Sequence, residues 1–301
     1  MIIKMISEET LTTSDLNSRK IVYAKADSYV GGKNNLVETL INYVPQEFAS
    51  YYEPFFGGGS MYWNLKLRGR IYRAIISDSN PELINFLKVV RDRFQDLHDE
   101  LHNYANLHGS DQYYRIRRLF NKLKNYSNRS TEIAAMFFYL NRNSYNGLWR
   151  NNKKGEFNVP YGFYKKYWIP SFDDLVTYSS LLQGTKILNT DFSNAVKDCK
   201  QEDFVYFDPP YYNERDYGFT KYCKANFTVW DHERLKETID HLTSKRVLAM
   251  ESNYDVSLVR NLYENYRKIT IEVCHTISCK SISRMNFREL IITNYETSSL
   301  R

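Results

Sequence analysis

Two adjacent prolines close a short apolar run, Phe204-Val205-Tyr206-Phe207-Asp208-Pro209-Pro210-Tyr211-Tyr212. Proline lacks an N–H and cannot continue a sheet interior, so the run reads as a strand that stops at Asp208. A carboxylate is thereby held at a strand end beside an aromatic ring. In an open α/β sheet the crevice beyond the carboxyl ends of the strands is where ligands bind. Two consecutive X-Pro bonds fix the backbone and turn the carbonyls of Asp208 and Pro209 toward that crevice. Such a corner suits an amino group: Asp208 and a fixed carbonyl accept its hydrogens, and Tyr211 offers a flat face to the ring that carries it. A strand-ending turn with a solvated Asp is the competing reading, and the rest of the chain decides between them.

The flanking sequence has the rhythm of an α/β protein. A glycine turn, Tyr29-Val30-Gly31-Gly32-Lys33, opens a helix with Leu36, Leu40, Ile41 and Val44 on one face. It is not a phosphate loop, because no Ser or Thr follows the Lys. Phe48–Phe56 reads as a strand running into Gly57-Gly58-Gly59-Ser60, where the lack of side chains lets a ligand approach the backbone. Ala74–Asp78 is a second strand ending in an acid about 20 residues after the glycines, the spacing at which a carboxylate receives ribose hydroxyls. Asp78 also suits the cap of a helix starting at Pro81. After Pro170 the sequence predicts a helix near 171–182, strands at Thr185–Asn189 and Arg246–Met250, a helix over Asp231–Leu242 capped near Thr228 or Asp231, and a closing hairpin, Lys268–Cys274 with Glu289–Asn294. Tyr212 to Phe227 reads as a polar, aromatic loop long enough to close over a site.

The rhythm breaks between residues 80 and 142, where helical periodicity prevails and no strand is evident. The next 25 residues, 142–166, carry Arg142, Arg150, Lys153, Lys154, Lys165 and Lys166 against one acid, Glu156. Interleaved are Tyr145, Trp149, Phe157, Tyr161, Phe163 and Tyr164, with Asn143, Asn146, Asn151 and Asn152. Cations neutralise phosphates, Asn and Arg read base edges and rings stack on bases, so the parts of a nucleic-acid surface are present. The net charge of the whole 301-residue chain is only +6, so the clustering carries the argument.

Four cysteines without a C-x-x-C pair indicate neither a zinc ribbon nor a disulfide framework and are read as reduced thiols. His98 and His102 share a helical face but lack a third ligand, so no metal is predicted. No stretch approaches the roughly 20 apolar residues of a membrane span, and no signal-like run opens the chain. The expectation is a cytoplasmic protein that does not engage a membrane.

Seven segments in order resemble the Dam family of DNA adenine-N6 methyltransferases (D12 class, alpha group): Tyr29-Val-Gly-Gly-Lys33, Glu53-Pro-Phe-Phe-Gly-Gly-Gly59, Ser77-Asp78-Ser-Asn80, Asn141-Arg142 through Arg150, Gly155-Glu-Phe-Asn-Val-Pro-Tyr-Gly162, Asp191-Phe192 and Asp208-Pro-Pro-Tyr211. The resemblance spans about Tyr29 to Tyr295. It implies a Rossmann-like sheet, mostly parallel with an antiparallel edge hairpin, formed by residues 20–80 and 171–297. A helical target-recognition insertion would occupy 81–170, and residues 1–19 would be a flexible arm. S-adenosylmethionine is the implied cofactor, leaving as S-adenosylhomocysteine. Tyr29, Lys33, Phe56, Gly57, Gly58, Gly59, Asp78, Asp191, Phe192 and Asp208 match cofactor-site positions, with Asp78 at the ribose and Asp191 and Phe192 at the adenine. Asp208, Pro209 and Tyr211 match the positions that hold a flipped adenine. Tyr145, Asn146 and Arg150 match residues that intercalate and read bases, with Lys165 or Lys166 near the backbone.

The implied partner is double-stranded DNA with a GATC or GAT-containing site. A restriction endonuclease acting on the same site and a monomer or weak dimer are compatible with the resemblance. Two departures stand out: Tyr29 replaces a common tryptophan, and the segment after Ser278 lacks a glycine-containing turn. A DNA-binding protein that keeps the fold without activity, and an enzyme acting on RNA, remain open alternatives at this stage.

Overall fold

The computed structural model describes residues 33–126, 130–164, 169–212, 227–274 and 286–297. Seven strands form one sheet: β1 (Tyr51–Glu53), β2 (Ala74–Asp78), β3 (Thr185–Asn189), β4 (Phe204–Phe207), β5 (Leu248–Tyr254), β6 (Arg267–Cys274) and β7 (Asn286–Thr293). Their order is β3-β2-β1-β4-β5-β7-β6. The first five run parallel, and β7 is antiparallel to both β5 and β6. This is the mixed α/β sheet with an antiparallel edge that the sequence predicts. The closing hairpin folds back, however, so that β7 lies inside and β6 forms the edge.

The expected strand over Phe48–Phe56 contracts to three residues. Pro54 has no N–H for the ladder, so the chain leaves the sheet there. At the other side, β5 runs four residues past the expected Met250. Antiparallel pairing of Ser252 with Ile291 and of Asn253 with Leu290 extends it, and one strand's own sequence does not reveal that partner.

Ten helices surround the sheet among the described residues: α1 (Lys33–Ile41), α2 (Ser60–Leu67), α3 (Pro81–Asp92), α4 (Phe94–His102), α5 (Ser110–Leu123), α6 (Ser130–Asn143), α7 (Phe172–Leu182), α8 (Phe192–Ala195), α9 (Val229–Ser244) and α10 (Ser257–Leu262). Side chains of β4 alternate between two cores, as a pleated strand requires. Phe204 and Tyr206 join a cluster that runs through α3 and α6 to Phe157, and Val205 and Phe207 pack with Leu235 and Ile239 of α9. Phe86 of α3 stacks on Phe138 of α6 with ring centroids 5.8 Å apart, which ties the helical segment to the sheet. Every residue of α6 from Ile133 to Leu140 is buried, consistent with its unbroken apolar run.

Helix starts follow local chemistry. Thr228 and Asp231 form a reciprocal capping box on α9, and Ser171 and Asp174 form one on α7. The cap of α3 is Asn80, whose side chain accepts from the N–H groups of Glu82 and Leu83. Asp78 is therefore not the helix cap, and both of its oxygens are engaged elsewhere. His98 and His102 are neighbours, with His102 Nδ1 2.8 Å from the His98 carbonyl. Among the described residues there is no cluster of three or more candidate metal ligands and no helix long and apolar enough to cross a membrane.

Candidate active site and nucleic-acid face

The sheet order reverses direction between β1 and β4, and the crevice at their carboxyl ends is where such sheets bind ligands. The turn after β1 supplies one wall. Gly59 has φ +66°, and a Cβ there would stand 2.3 Å from the Phe56 ring, so only glycine fits. Phe56 is itself buried against Tyr62 and Trp63 and serves as packing beneath the turn. Trp63 Nε1 donates to the Gly58 carbonyl at 3.0 Å, fixing the loop from below. A Cβ at Gly57 or Gly58 would meet nothing within 4 Å, so the backbone is open to a ligand at these two positions.

Asp78 at the end of β2 closes the same wall. The Gly57 N–H donates to its Oδ2 at 2.9 Å and the Asn80 N–H to its Oδ1 at 2.8 Å. Burial raises its pKa, and the two backbone donors offset this only in part. Next to it, Asn189 at the end of β3 donates to the Asp78 carbonyl. Asp191 caps α8 through the Ser193 N–H and hydroxyl. Its two oxygens also receive a bidentate pair from Arg234 of α9, at 3.1 and 2.9 Å. The guanidinium carbon lies 4.3 Å from the Phe192 ring centroid, and Phe192 stacks on Phe55 at 5.2 Å. Burial works against the Asp191 charge, but Ser193 and Arg234 outweigh it and hold the pKa below the usual carboxylate value. The engagement of Asp191 by Arg234 has no sequence signal, because the partners are 43 residues apart.

Asp208 sits at the opposite wall, beyond β4. Ser252 Oγ donates to Asp208 Oδ1 at 3.0 Å and lies 2.9 Å from the Tyr206 hydroxyl. Pro209 is buried while Asp208 is partly open, so the acid keeps access to solvent on a fixed backbone. The Tyr211 hydroxyl donates to Glu289 Oε2 at 3.0 Å, and its ring meets Tyr254 edge-on at 4.8 Å. Burial, then the charges of Asp208 and Glu289, raise the Tyr211 pKa well above that of a free phenol, so the hydroxyl stays protonated and donates. At the next residue, the Tyr212 N–H donates to Asn253, and Asn253 donates to Glu251. Buried Glu251 has its pKa pushed up to about 7, first by desolvation, with the Asp208 charge adding to the rise.

Glu53, Glu251 and Glu289 are all buried near this corner, and Tyr51 donates to Glu53 at 2.7 Å. None of the three is among the site residues expected from the sequence. An acid inside an apolar strand, as in Arg288-Glu289-Leu290-Ile291-Ile292, is the signal that points to Glu289. Any of these acids that is ionised lowers the electrostatic potential of the crevice and favours a cation or a developing positive charge in it.

The basic aromatic stretch after α6 forms a short hairpin. Ser144 bridges Tyr161, the Tyr145 N–H donates to the Pro160 carbonyl, and the Gly162 N–H donates to the Asn143 carbonyl at 2.8 Å. Tyr145, Asn146 and Gly147 make a 3-10 turn in which Asn146 has φ +54°. Its six rings divide. Phe157 and Tyr161 are buried, and Trp149 stacks on Phe157 at 4.2 Å, whereas Tyr145, Phe163 and Tyr164 are exposed. Asn152 accepts from the Lys154 and Glu156 N–H groups and donates to Glu156, so it shapes its own turn. Arg150 is exposed and donates through Nε to Asn158 at 2.9 Å.

Of the remaining expected site residues, Lys33 is the first residue of α1. Tyr29, Lys165 and Lys166 lie outside the described residues, as do the loop 213–226 and the N-terminal arm.

Comparison with known proteins adds an independent line. A family profile described as D12 class N6 adenine-specific DNA methyltransferase matches residues 29–277. The type II methyltransferase M1.LlaDCHI of Lactococcus lactis subsp. cremoris is 34% identical over 283 residues, covering 93% of this chain and 98% of the relative. M.MjaIII, a type II methyltransferase of Methanocaldococcus jannaschii, is 36% identical over 282 residues, covering 89% and 97%. The DNA adenine methylase of Serratia marcescens is 32% identical over 268 residues, covering 87% and 95%.

Proposed function

Because the chain belongs to the D12 class of N6 adenine-specific DNA methyltransferases, we propose that it methylates N6 of an adenine flipped from duplex DNA, using S-adenosylmethionine, within a GATC or GAT-containing site. The observation that carries this reading is the crevice itself. An open glycine turn and Asp78 face, across the switch point of the sheet, a carboxylate held by Ser252 and flanked by a tyrosine ring.

The residues present fit the cofactor. The bare backbone at Gly57 and Gly58 leaves room for its methionine part, Asp78 retains lone pairs for ribose hydroxyls, and the buried acids suit a sulfonium charge. Asp191 and Phe192 offer an acceptor and a ring face for its adenine, both now held by Arg234, so that guanidinium must move aside. When bound, the cofactor supplies an electrophilic methyl group whose bond to sulfur breaks as the bond to N6 forms.

The chain's own part is orientation and charge. The amino group of adenine is a weak nucleophile because its lone pair is delocalised into the ring. Hydrogen bonds from N6 to Asp208 and the Pro209 carbonyl draw the nitrogen toward pyramidal geometry and stabilise the positive charge it acquires. Tyr211, pinned by Glu289 and Tyr254, presents its face to the base. Asp208 also receives or relays the proton that N6 loses. Residues 81–170 serve as the target-recognition segment in this reading, with Tyr145, Asn146 and Arg150 toward the bases.

Tritiated methyl transfer to unmethylated duplex DNA, followed by digestion with a nuclease blocked by methylated GATC, tests both parts. Incorporation with protection is the expected result. Incorporation without protection discards the GATC assignment, and no incorporation by folded protein discards the reaction.

A further inference from the structure

Phe163 combines two costs. It is 77% exposed, so its ring gains almost nothing from burial, and its φ is +55°, in the left-handed region that bulky residues avoid. Stability alone would place Gly or Asn there, and strain of this kind persists only where the surroundings impose it. They do so here. The Gly162 N–H is tied to the Asn143 carbonyl at the end of α6. A Cβ at Gly162 would lie 2.7 Å from the Ser144 carbonyl oxygen, so the two arms touch backbone to backbone. Behind the exposed ring stands Tyr161, itself 6% exposed, with centroids 5.0 Å apart. The phenyl is thus mounted on a buried ring at the end of a short ladder and directed to solvent.

Its neighbourhood selects the occupant. The hairpin also exposes Tyr145 and Tyr164, and Arg150, Lys153 and Lys154 add positive charge with only Glu156 opposed. Exposed rings among cations match a polyanion that also offers apolar faces, and duplex DNA does so at a step opened by base flipping or kinking. Tyr145 pairs with Pro160, and Phe163 lies three residues further along the same arm.

We propose that Phe163 is a second stacking residue of the DNA face, engaging a position other than the one that Tyr145 addresses and so adding to affinity there. This rests on the reading that the hairpin faces duplex DNA. The left-handed backbone at Phe163 is the cost of aiming the ring outward.

The test uses the full-length protein and a fluorescent duplex carrying the methylated site identified by sequencing the labelled product. Phe163→Ala and Phe163→Gly are compared with Tyr145→Ala and Arg150→Ala. Both Phe163 variants are expected to bind about 5- to 140-fold more weakly at every salt concentration, the range of one lost base–aromatic stack. The slope of log K against log salt stays unchanged, because no phosphate contact is lost. Phe163→Gly is expected to melt at or above the temperature of the unsubstituted protein, since glycine accepts the left-handed φ. Unaltered binding by both Phe163 variants, with weakened Tyr145→Ala and Arg150→Ala, overturns the inference and leaves the DNA-facing reading intact. Unaltered binding by all four overturns both. A lower melting temperature for Phe163→Gly shows that the ring serves folding and also overturns the inference.

Discussion

The corner after β4 and the hairpin after α6 are both rich in rings and polar groups, yet they handle them in opposite ways. At the corner, polar atoms pair with one another: Tyr206 with Ser252, Ser252 with Asp208, Tyr211 with Glu289, Asn253 with Glu251. The rings there are buried or half-buried, and burial strengthens each hydrogen bond while making an unpaired group costly. In the hairpin, three rings are withdrawn into the core as a foundation and three are left in water. Under the proposed function the first arrangement fixes its atoms before a substrate arrives, and the second keeps surface free for the DNA partner. On that reading chemistry and recognition impose opposite burial on similar residue types.

Substitutions at the corner are expected to act on rate and stability, and those in the hairpin on affinity. The largest effect is expected for Asp208→Ala, with methyl transfer down by about 100- to 1000-fold, as for loss of one oriented transition-state partner. Duplex affinity, read by anisotropy, changes several-fold at most; an equal loss in both would erase the division of labour. Next is the pH dependence carried by Glu251. Its folded pKa, pushed up to about 7, lies above the ordinary value of 4.5. Its stabilising contribution is therefore full below about pH 4.5 and is lost as pH rises through about 7. Glu251→Gln removes a swing of about 3 kcal/mol across that window, seen as a flatter difference between urea melts at pH 5 and pH 8. Neutral, buried His232 contributes in the opposite sense. Its pKa is lowered to about 4 by burial, so its contribution holds above about pH 6.5 and fades as pH falls through about 4. Comparing variant with unsubstituted protein cancels it.

Tyr211→Phe keeps the ring but takes one donor from the buried Glu289 carboxylate. A stability loss of about 1–3 kcal/mol is expected from thermal melts. The rate should fall less than for Asp208→Ala, since the stacking face remains. The smallest effect is expected for Lys153→Ala, an exposed hairpin cation. Binding should weaken a few-fold on every duplex, with a salt slope shallower by about 1 and methyl transfer at saturating DNA unchanged.

Much of the candidate site's layout is legible in the sequence because its determinants are local. Two prolines end β4, a glycine run opens the turn after β1, and the acid closing β2 follows at a fixed interval, so the places of Asp208, Gly57 to Gly59 and Asp78 follow from their neighbours. The supports of those residues are not. Ser252 lies past the expected strand end at Met250, because the pairing that extends β5 comes from β7, and the contact of Glu289 with Tyr211 likewise depends on that pairing. The hairpin misled in the other direction. All six of its rings looked available for stacking, but Trp149, Phe157 and Tyr161 pack beneath it, since the facing aromatic residues of α5 and α6 come from elsewhere in the chain.

Periodicity, proline stops, glycine turns and motif order are properties of adjacent residues, and the succession of elements, the strand-end acids and the family follow from them. Which rings face water, that Arg234 holds Asp191, and that Glu289 anchors Tyr211 across 78 positions emerge only in the folded chain. Such contacts depend on strand order and on which surfaces remain uncovered once the sheet has closed, and those are properties of the assembled layers rather than of any one segment.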